Sequence, residues 1–144
     1  MAADNVVIYT DGGCDPNPGP GAWAALIMKD GEKKEISGAD GQTTNNRMEL
    51  TAAINALNSL ATPSRVMIYT DSQYLQRGIE EWMPGWLRKN WRGANGPVLN
   101  QDLWKALLEA VKPHQVSWQW VKGHAGNVYN NRVDALVQQA RKKL

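Results

Sequence analysis

The chain has 144 residues, with a hydrophobic content of 42%, a charged content of 21% and a formal net charge of +2. That size suits one domain over residues 1–144 with one core, and the composition is ordinary for a soluble globular protein. No apolar stretch is as long as a membrane span, the first residues lack the features of a signal peptide, and a single cysteine, Cys14, excludes an internal disulfide; cytoplasmic residence and no membrane contact are expected.

The apolar, β-branched run Val6-Val7-Ile8-Tyr9 predicts a buried strand over about 5–12. Residues 13–21 read as a loop, too rich in Pro and Gly for regular structure. Residues 22–29 and 32–39 predict a hairpin around Asp30-Gly31. A helix opens within 43–46, carries Leu50, Ala53, Ile54, Leu57 and Leu60 at helical spacing, and is stopped by Pro63. Residues 65–70 are the next strand, and Asp71-Ser72 caps a short helix reaching about residue 80. Residues 82–97 form a basic, aromatic excursion in which Trp82, Trp86 and Trp91 are interleaved with Arg88, Lys89 and Arg92. A helix over about 101–111 stops at Pro113; residues 115–121 alternate as a strand, with Trp118 and Trp120 expected in the core. The last helix, about 130–143, places Val133, Leu136, Val137 and Ala140 on one face. This order predicts an α/β fold: a five-stranded mixed β-sheet flanked by α-helices on both faces.

One phrase occurs twice, Ile8-Tyr9-Thr10-Asp11 and Ile68-Tyr69-Thr70-Asp71, each time closing a buried run on an acid. In parallel neighbouring strands, about 4.8 Å apart, the two carboxylates stand side by side and raise each other's pKa unless a cation lies between them. Glu49 directly precedes Leu50, and Asp134 directly follows Val133, so both border the buried stripe of a helix. Taken singly, Glu49 reads equally well as a complement to the helix dipole, Asp71 as a helix cap, Asp11 as a turn residue and Asp134 as a surface acid. Taken together they are an all-oxygen set that suits Mg²⁺ or Mn²⁺ better than zinc. With these acids committed to metal, the remaining surface is distinctly basic, which suits a polyanionic partner.

Asp11-Gly12-Gly13-Cys14 with Asn17-Pro18-Gly19-Pro20-Gly21, then Thr44-Asn45-Asn46-Arg47-Met48-Glu49-Leu50, then Thr70-Asp71-Ser72-Gln73-Tyr74 resemble type 1 ribonuclease H of the bacterial kind. So do the three tryptophans from Trp82 to Trp91, Asn100 with Asp102-Leu103-Trp104, Trp120-Val121-Lys122-Gly123-His124-Ala125-Gly126, and finally Asn130 and Asp134. The resemblance implies a ribonuclease H-like fold and an endonuclease that cuts the RNA strand of RNA–DNA hybrids. It implies two Mg²⁺ ions, replaceable by Mn²⁺, held by Asp11, Glu49, Asp71 and Asp134, with 5′-phosphate and 3′-hydroxyl products. It assigns His124 to proton transfer or product release.

By the same resemblance the RNA 2′-hydroxyl is read by the backbone from Gly12 to Cys14 with Asn17 and Asn45, while Asn46 and Gln73 make further groove contacts. Thr44 and Asn100 match a pocket for a DNA-strand phosphate, Trp82 and Trp86 a groove for deoxyribose, and Arg88, Lys89 and Arg92 a phosphate-binding handle. Outside that context Asn17 reads as a turn residue, Asn45 as a helix cap and Trp86 as core. The handle is less basic than in well-known relatives, since Gly93-Ala94-Asn95-Gly96 and Leu99 stand where lysines are common, so weaker binding is expected. Asn131 is neutral where relatives often carry an acid, so a small change in metal response is expected. The alternative is a catalytically weak hybrid-binding module of the same fold. A monomer with no small-molecule organic cofactor is expected.

Overall fold

The computed structural model describes residues 4–123 and 126–144. β1 (Asp4–Cys14), β2 (Gly19–Lys29) and β3 (Glu32–Thr43) form an antiparallel meander. Asp30 and Gly31 both adopt positive φ, at 53° and 79°, and so supply the left-handed pair that a tight hairpin between β2 and β3 requires. These strands outrun the sequence expectation: Gly13 and Cys14 continue β1 opposite Ala22 and Gly21, leaving only residues 15–18 as the loop. Cross-strand pairing overrides the poor strand propensity of glycine there.

α1 (Asn45–Asn58) leads to β4 (Ser64–Thr70), which pairs in parallel with β1 and sets Tyr9 beside Tyr69 and Thr10 beside Thr70. The chain continues through α2 (Gln73–Arg77), a π-helical turn (Gly78–Trp82), α3 (Met83–Arg88) and a minimal hairpin of β5 (Arg92–Gly93) and β6 (Gly96–Pro97). α4 (Gln101–Val111), β7 (Gln115–Trp120) and α5 (Val128–Lys142) complete the fold. The sheet order is β3-β2-β1-β4-β7, with β7 parallel to β4. α1 stops well before Pro63, and α5 starts two residues earlier than expected because Asn127 caps it, accepting from the N–H groups of Tyr129 and Asn130.

Alternation along the strands divides the core in two. Val6, Ile8, Ala25, Ile27, Val66 and Ile68 pack with Leu50, Ala53 and Leu57 of α1 and with Trp104 and Leu107 of α4. On the opposite face Ala22 and Ala24 meet Leu136, Val137 and Ala140 of α5, and Tyr9 and Leu26 meet Val133. Helices therefore cover both faces, as expected.

The tryptophans are distributed otherwise than expected. Trp118 does pack against the main core, but it and Trp120 are only half-buried, because β7 lies at the edge of the sheet. Trp91, read as part of the basic surface, is buried in the main core instead. Among the described residues no helix is long and apolar enough to cross a membrane.

Candidate active site

Parallel pairing of β1 and β4 through Thr10 and Thr70 brings Asp11 and Asp71, the next residue of each, to the same end of the sheet. Two local features hold Asp71 in place. Ser72 rather than Asp71 caps α2, accepting from the Leu75 N–H at 3.1 Å, so the capping reading of Asp71 does not hold. Trp120 Nε1 donates to the Asp71 carbonyl oxygen at 3.1 Å.

Glu49 arrives from α1, which crosses β1 in backbone contact. A Cβ placed on Gly12 would lie 2.4 Å from the Met48 carbonyl carbon and 2.6 Å from the Glu49 nitrogen. Only glycine permits this approach. It sets Glu49 among the strand acids, and one carboxylate oxygen each from Asp11, Glu49 and Asp71 lie within 4.8 Å of one another. Asp134 of α5 lines the same cleft, near enough for its charge to act on the Asp11 carboxyl. The four sequence-predicted acids thus line one open cleft of about 520 Å³.

Electrostatics marks the cluster as anomalous for a protein interior. Burial, reinforced by the charges of Asp71 and Asp134, pushes the Asp11 pKa up to about 8. Burial likewise raises that of Glu49 well above the carboxylate range, with Asp11 and Asp71 adding to the effect. The Gly12 N–H opposes both shifts by hydrogen bonding. Glu49 Oε2 is buried with no hydrogen-bond partner among the described residues. A buried carboxylate oxygen without a donor is costly. An all-carboxylate set with one orphaned oxygen fits a hard divalent cation such as Mg²⁺ or Mn²⁺.

Of the predicted substrate contacts, Gly12, Cys14, Asn45, Asn46 and Gln73 line the same cleft. The Cys14 N–H donates to Asn45 Oδ1 at 2.7 Å, and Asn17 Oδ1 accepts from the Asn45 N–H at 3.2 Å and from the Cys14 thiol at 3.3 Å. The three residues therefore form one cross-braced corner. Thr44, not Asn45, is the helix cap, accepting from the Arg47 N–H at 3.2 Å. Burial pushes the Cys14 thiol up.

The remaining contacts lie beyond the cleft. Arg47 donates to Asn100 Oδ1 at 3.3 Å and to both oxygens of Asp102, at 3.0 and 2.8 Å, so it ties the Thr44 end of α1 to Asn100. The Tyr74 hydroxyl accepts from Asn100 Nδ2 at 3.1 Å and from Trp104 Nε1 at 3.0 Å. Trp82 packs on Tyr74 and on Trp86 with ring centroids 5.8 and 6.0 Å apart. Trp86 also contacts Trp91 and Trp104, so it is in part a core residue. Arg88, Lys89 and Arg92 are exposed. His124 lies outside the described residues. Arg47 and Tyr74 emerge as partners of Asn100 only in the fold, since neither spacing nor residue type in the sequence reveals them.

A family model for RNase H matches residues 3–142. The chain is 56% identical over 137 residues to a ribonuclease H of Granulibacter bethesdensis, covering 94% of this chain and 91% of that protein. It is 56% identical over 140 residues to a ribonuclease H of Gluconobacter oxydans, covering 96% and 93%. Among solved structures it is similar to LC9-RNase H1, a type 1 RNase H, with a TM-score of 0.88 and 29% identity over 99% of this chain and 74% of that one. It shares the fold of LC11-RNase H1, solved in complex with an RNA/DNA hybrid, with a TM-score of 0.75 at 24% identity over 96% and 97% of the two chains. With the family model spanning nearly the whole chain and curated relatives above half identity, the chain belongs to the RNase H family as a type 1 ribonuclease H, a hydrolytic nuclease.

Proposed function

We propose that the protein is an endoribonuclease that hydrolyses the RNA strand of RNA–DNA hybrids with two divalent metal ions, leaving 5′-phosphate and 3′-hydroxyl ends. The observation that carries this reading is the convergence of one carboxylate oxygen each from Asp11, Glu49 and Asp71 within 4.8 Å, with Asp134 lining the same cleft. These four residues would hold Mg²⁺. What bound Mg²⁺ supplies there is a nucleophilic water at neutral pH and stabilisation of the leaving 3′ oxygen in an in-line displacement.

The chain's own residues do the rest. Burial disfavours the charged forms of Asp11 and Glu49, and a bound divalent cation would favour them, so metal loading would lower both pKa values. Asn17, Cys14 and Asn45 present a rigid polar corner beside the acids, placed to read a 2′-hydroxyl that DNA lacks. Asn100 and Thr44, joined through Arg47, offer donors to a phosphate of the opposite strand, and Trp82 an aromatic face to its sugar. His124 is proposed to move a proton or release product. A monomer of one domain, acting in the cytoplasm, accommodates all of these roles.

The test is a hybrid incubated with Mg²⁺ or with EDTA, followed by end-group analysis of the fragments. Metal-dependent fragments with 5′-phosphate and 3′-hydroxyl ends support the proposal. Tight binding without cleavage would instead support a hybrid-binding module.

A further inference from the structure

The cleft has a cation that the roles above leave unused. Among its described lining residues Asp11, Asp15, Glu49, Asp71 and Asp134 are acidic, and Arg141 alone is basic. Asp134, Val137, Gln138 and Arg141 all line this cleft, so α5 turns one continuous stripe toward it. Arg141 lies seven positions beyond Asp134 on α5, about 10 Å along the axis. That is about three nucleotide steps of one strand, at about 3.4 Å of duplex axis each.

The guanidinium is held ready but is not committed. Gln138 Oε1 accepts from Arg141 Nη2, and both residues line the cleft. Asp15 pairs with Arg141 Nη1 at 3.5 Å, a long contact, and the Asp15 side chain is 80% exposed while that of Arg141 is 25% exposed. A pair with one fully hydrated partner is weak and readily exchanged for a better anion. A phosphodiester, with charge and fork geometry matched to arginine, is that better anion. Asp15 follows Cys14 directly and shares a loop with Asn17, so the pair stands on the side of the cleft where the 2′-hydroxyl corner lies.

We propose that Arg141 binds a non-scissile phosphate of the RNA strand, within about three nucleotides of the cut, and that Asp15 occupies the guanidinium until substrate displaces it. The inference rests on the hybrid reading above. It adds a subsite for the cut strand on α5, within the cleft that Trp82 and Arg88 do not line, and makes Asp15 a weak internal competitor for it.

The test compares the parent with Arg141→Gln, Arg141→Lys, Asp15→Asn and the double variant Asp15→Asn/Arg141→Gln in steady-state cleavage of a hybrid across salt concentrations. Arg141→Gln should raise KM about tenfold, as loss of one charge-assisted contact does, with kcat within about twofold. The slope of log KM against log salt should flatten by about one unit, the signature of one lost phosphate contact, and Arg141→Lys should restore it. Asp15→Asn should lower KM about twofold to threefold, as removal of a weak surface ion pair allows, and should do nothing in the Arg141→Gln background.

Replacing RNA phosphates one at a time by neutral methylphosphonates should reveal one position that weakens the parent and leaves Arg141→Gln unaffected. Unchanged KM and salt slope in Arg141→Gln, or the absence of such a position, would overturn the proposal. Equal Asp15→Asn effects in both backgrounds would overturn the competitor role. A parent that cuts normally while Arg141→Gln behaves identically sinks this inference alone, whereas a parent that cuts no hybrid sinks the functional reading beneath it.

Discussion

Gly12→Ala tests how the active site is built. The added methyl would sit 2.4 Å from the Met48 carbonyl carbon, 2.6 Å from the Glu49 nitrogen and 2.7 Å from the Met48 oxygen, where ordinary contact begins near 3.4 Å. The obstacle is backbone, so no rotamer change relieves it, and β1 and α1 must part by about 1 Å. Overpacking of this kind costs about 1–3 kcal/mol. In a chain of this size that lowers Tm by about 2–12 °C, leaving the protein folded at 25 °C.

The kinetic penalty should be larger, because the same displacement carries Glu49 away from Asp11 and Asp71. Misplacement by about 1 Å commonly costs about 100-fold in rate. Thermal unfolding, Mn²⁺ calorimetry without nucleic acid, and hybrid cleavage at 25 °C separate the two effects. The expected result is a moderate loss of Tm, weakened Mn²⁺ binding and a roughly 100-fold loss of cleavage. A variant that binds Mn²⁺ like the parent and cuts within about threefold of it would refute the claim that this glycine contact positions Glu49.

Three further outcomes are expected. Without metal, stability should fall as pH rises from about 4 to about 8, because native Asp11 keeps a proton, with a pKa of about 8, that the unfolded chain loses at the ordinary 3.8. The slope is up to about 1.4 kcal/mol per pH unit, and pH-dependent melts should show saturating Mg²⁺ or Asp11→Asn flattening it; an apo melting temperature that rises across this window contradicts the argument. Tyr74→Phe should lower stability by about 1–3 kcal/mol in denaturant melts, since the fully buried Trp104 loses the acceptor for its indole N–H, and should weaken hybrid binding through Asn100. Asn131→Asp should shift the Mg²⁺ midpoint of activity slightly, and a titration that overlays the parent's dismisses any metal role for the exposed Asn131.

The sheet and the acid cluster were legible because each follows from local periodicity. Two β-branched runs closing on Asp11 and Asp71 are buried strands whose ends carry acids, and their parallel pairing follows from an intervening helix. Glu49 and Asp134 were legible from their positions beside buried stripes. What was not legible depends on which surface a neighbour covers. Trp118 and Trp120 alternate like core residues, yet β7 lies at the edge, and Trp91 looks like surface but turns inward after α3. The Asn45 cap assignment failed because Thr44 competes for the same role one residue earlier. The Arg47–Asn100–Tyr74 network and the Asp15–Arg141 pair join residues far apart in sequence, and only the tertiary fold brings them together.

The central claim is that this acid cluster cuts RNA when it is paired with DNA. The most direct measurement offers the protein RNA–DNA hybrid, duplex RNA and duplex DNA, each labelled on either strand, in Mg²⁺ at neutral pH. Cuts should be confined to the RNA strand of the hybrid and lost on Asp71→Asn. Cleavage of duplex DNA, of the DNA strand of the hybrid, or by the Asp71→Asn variant would contradict it.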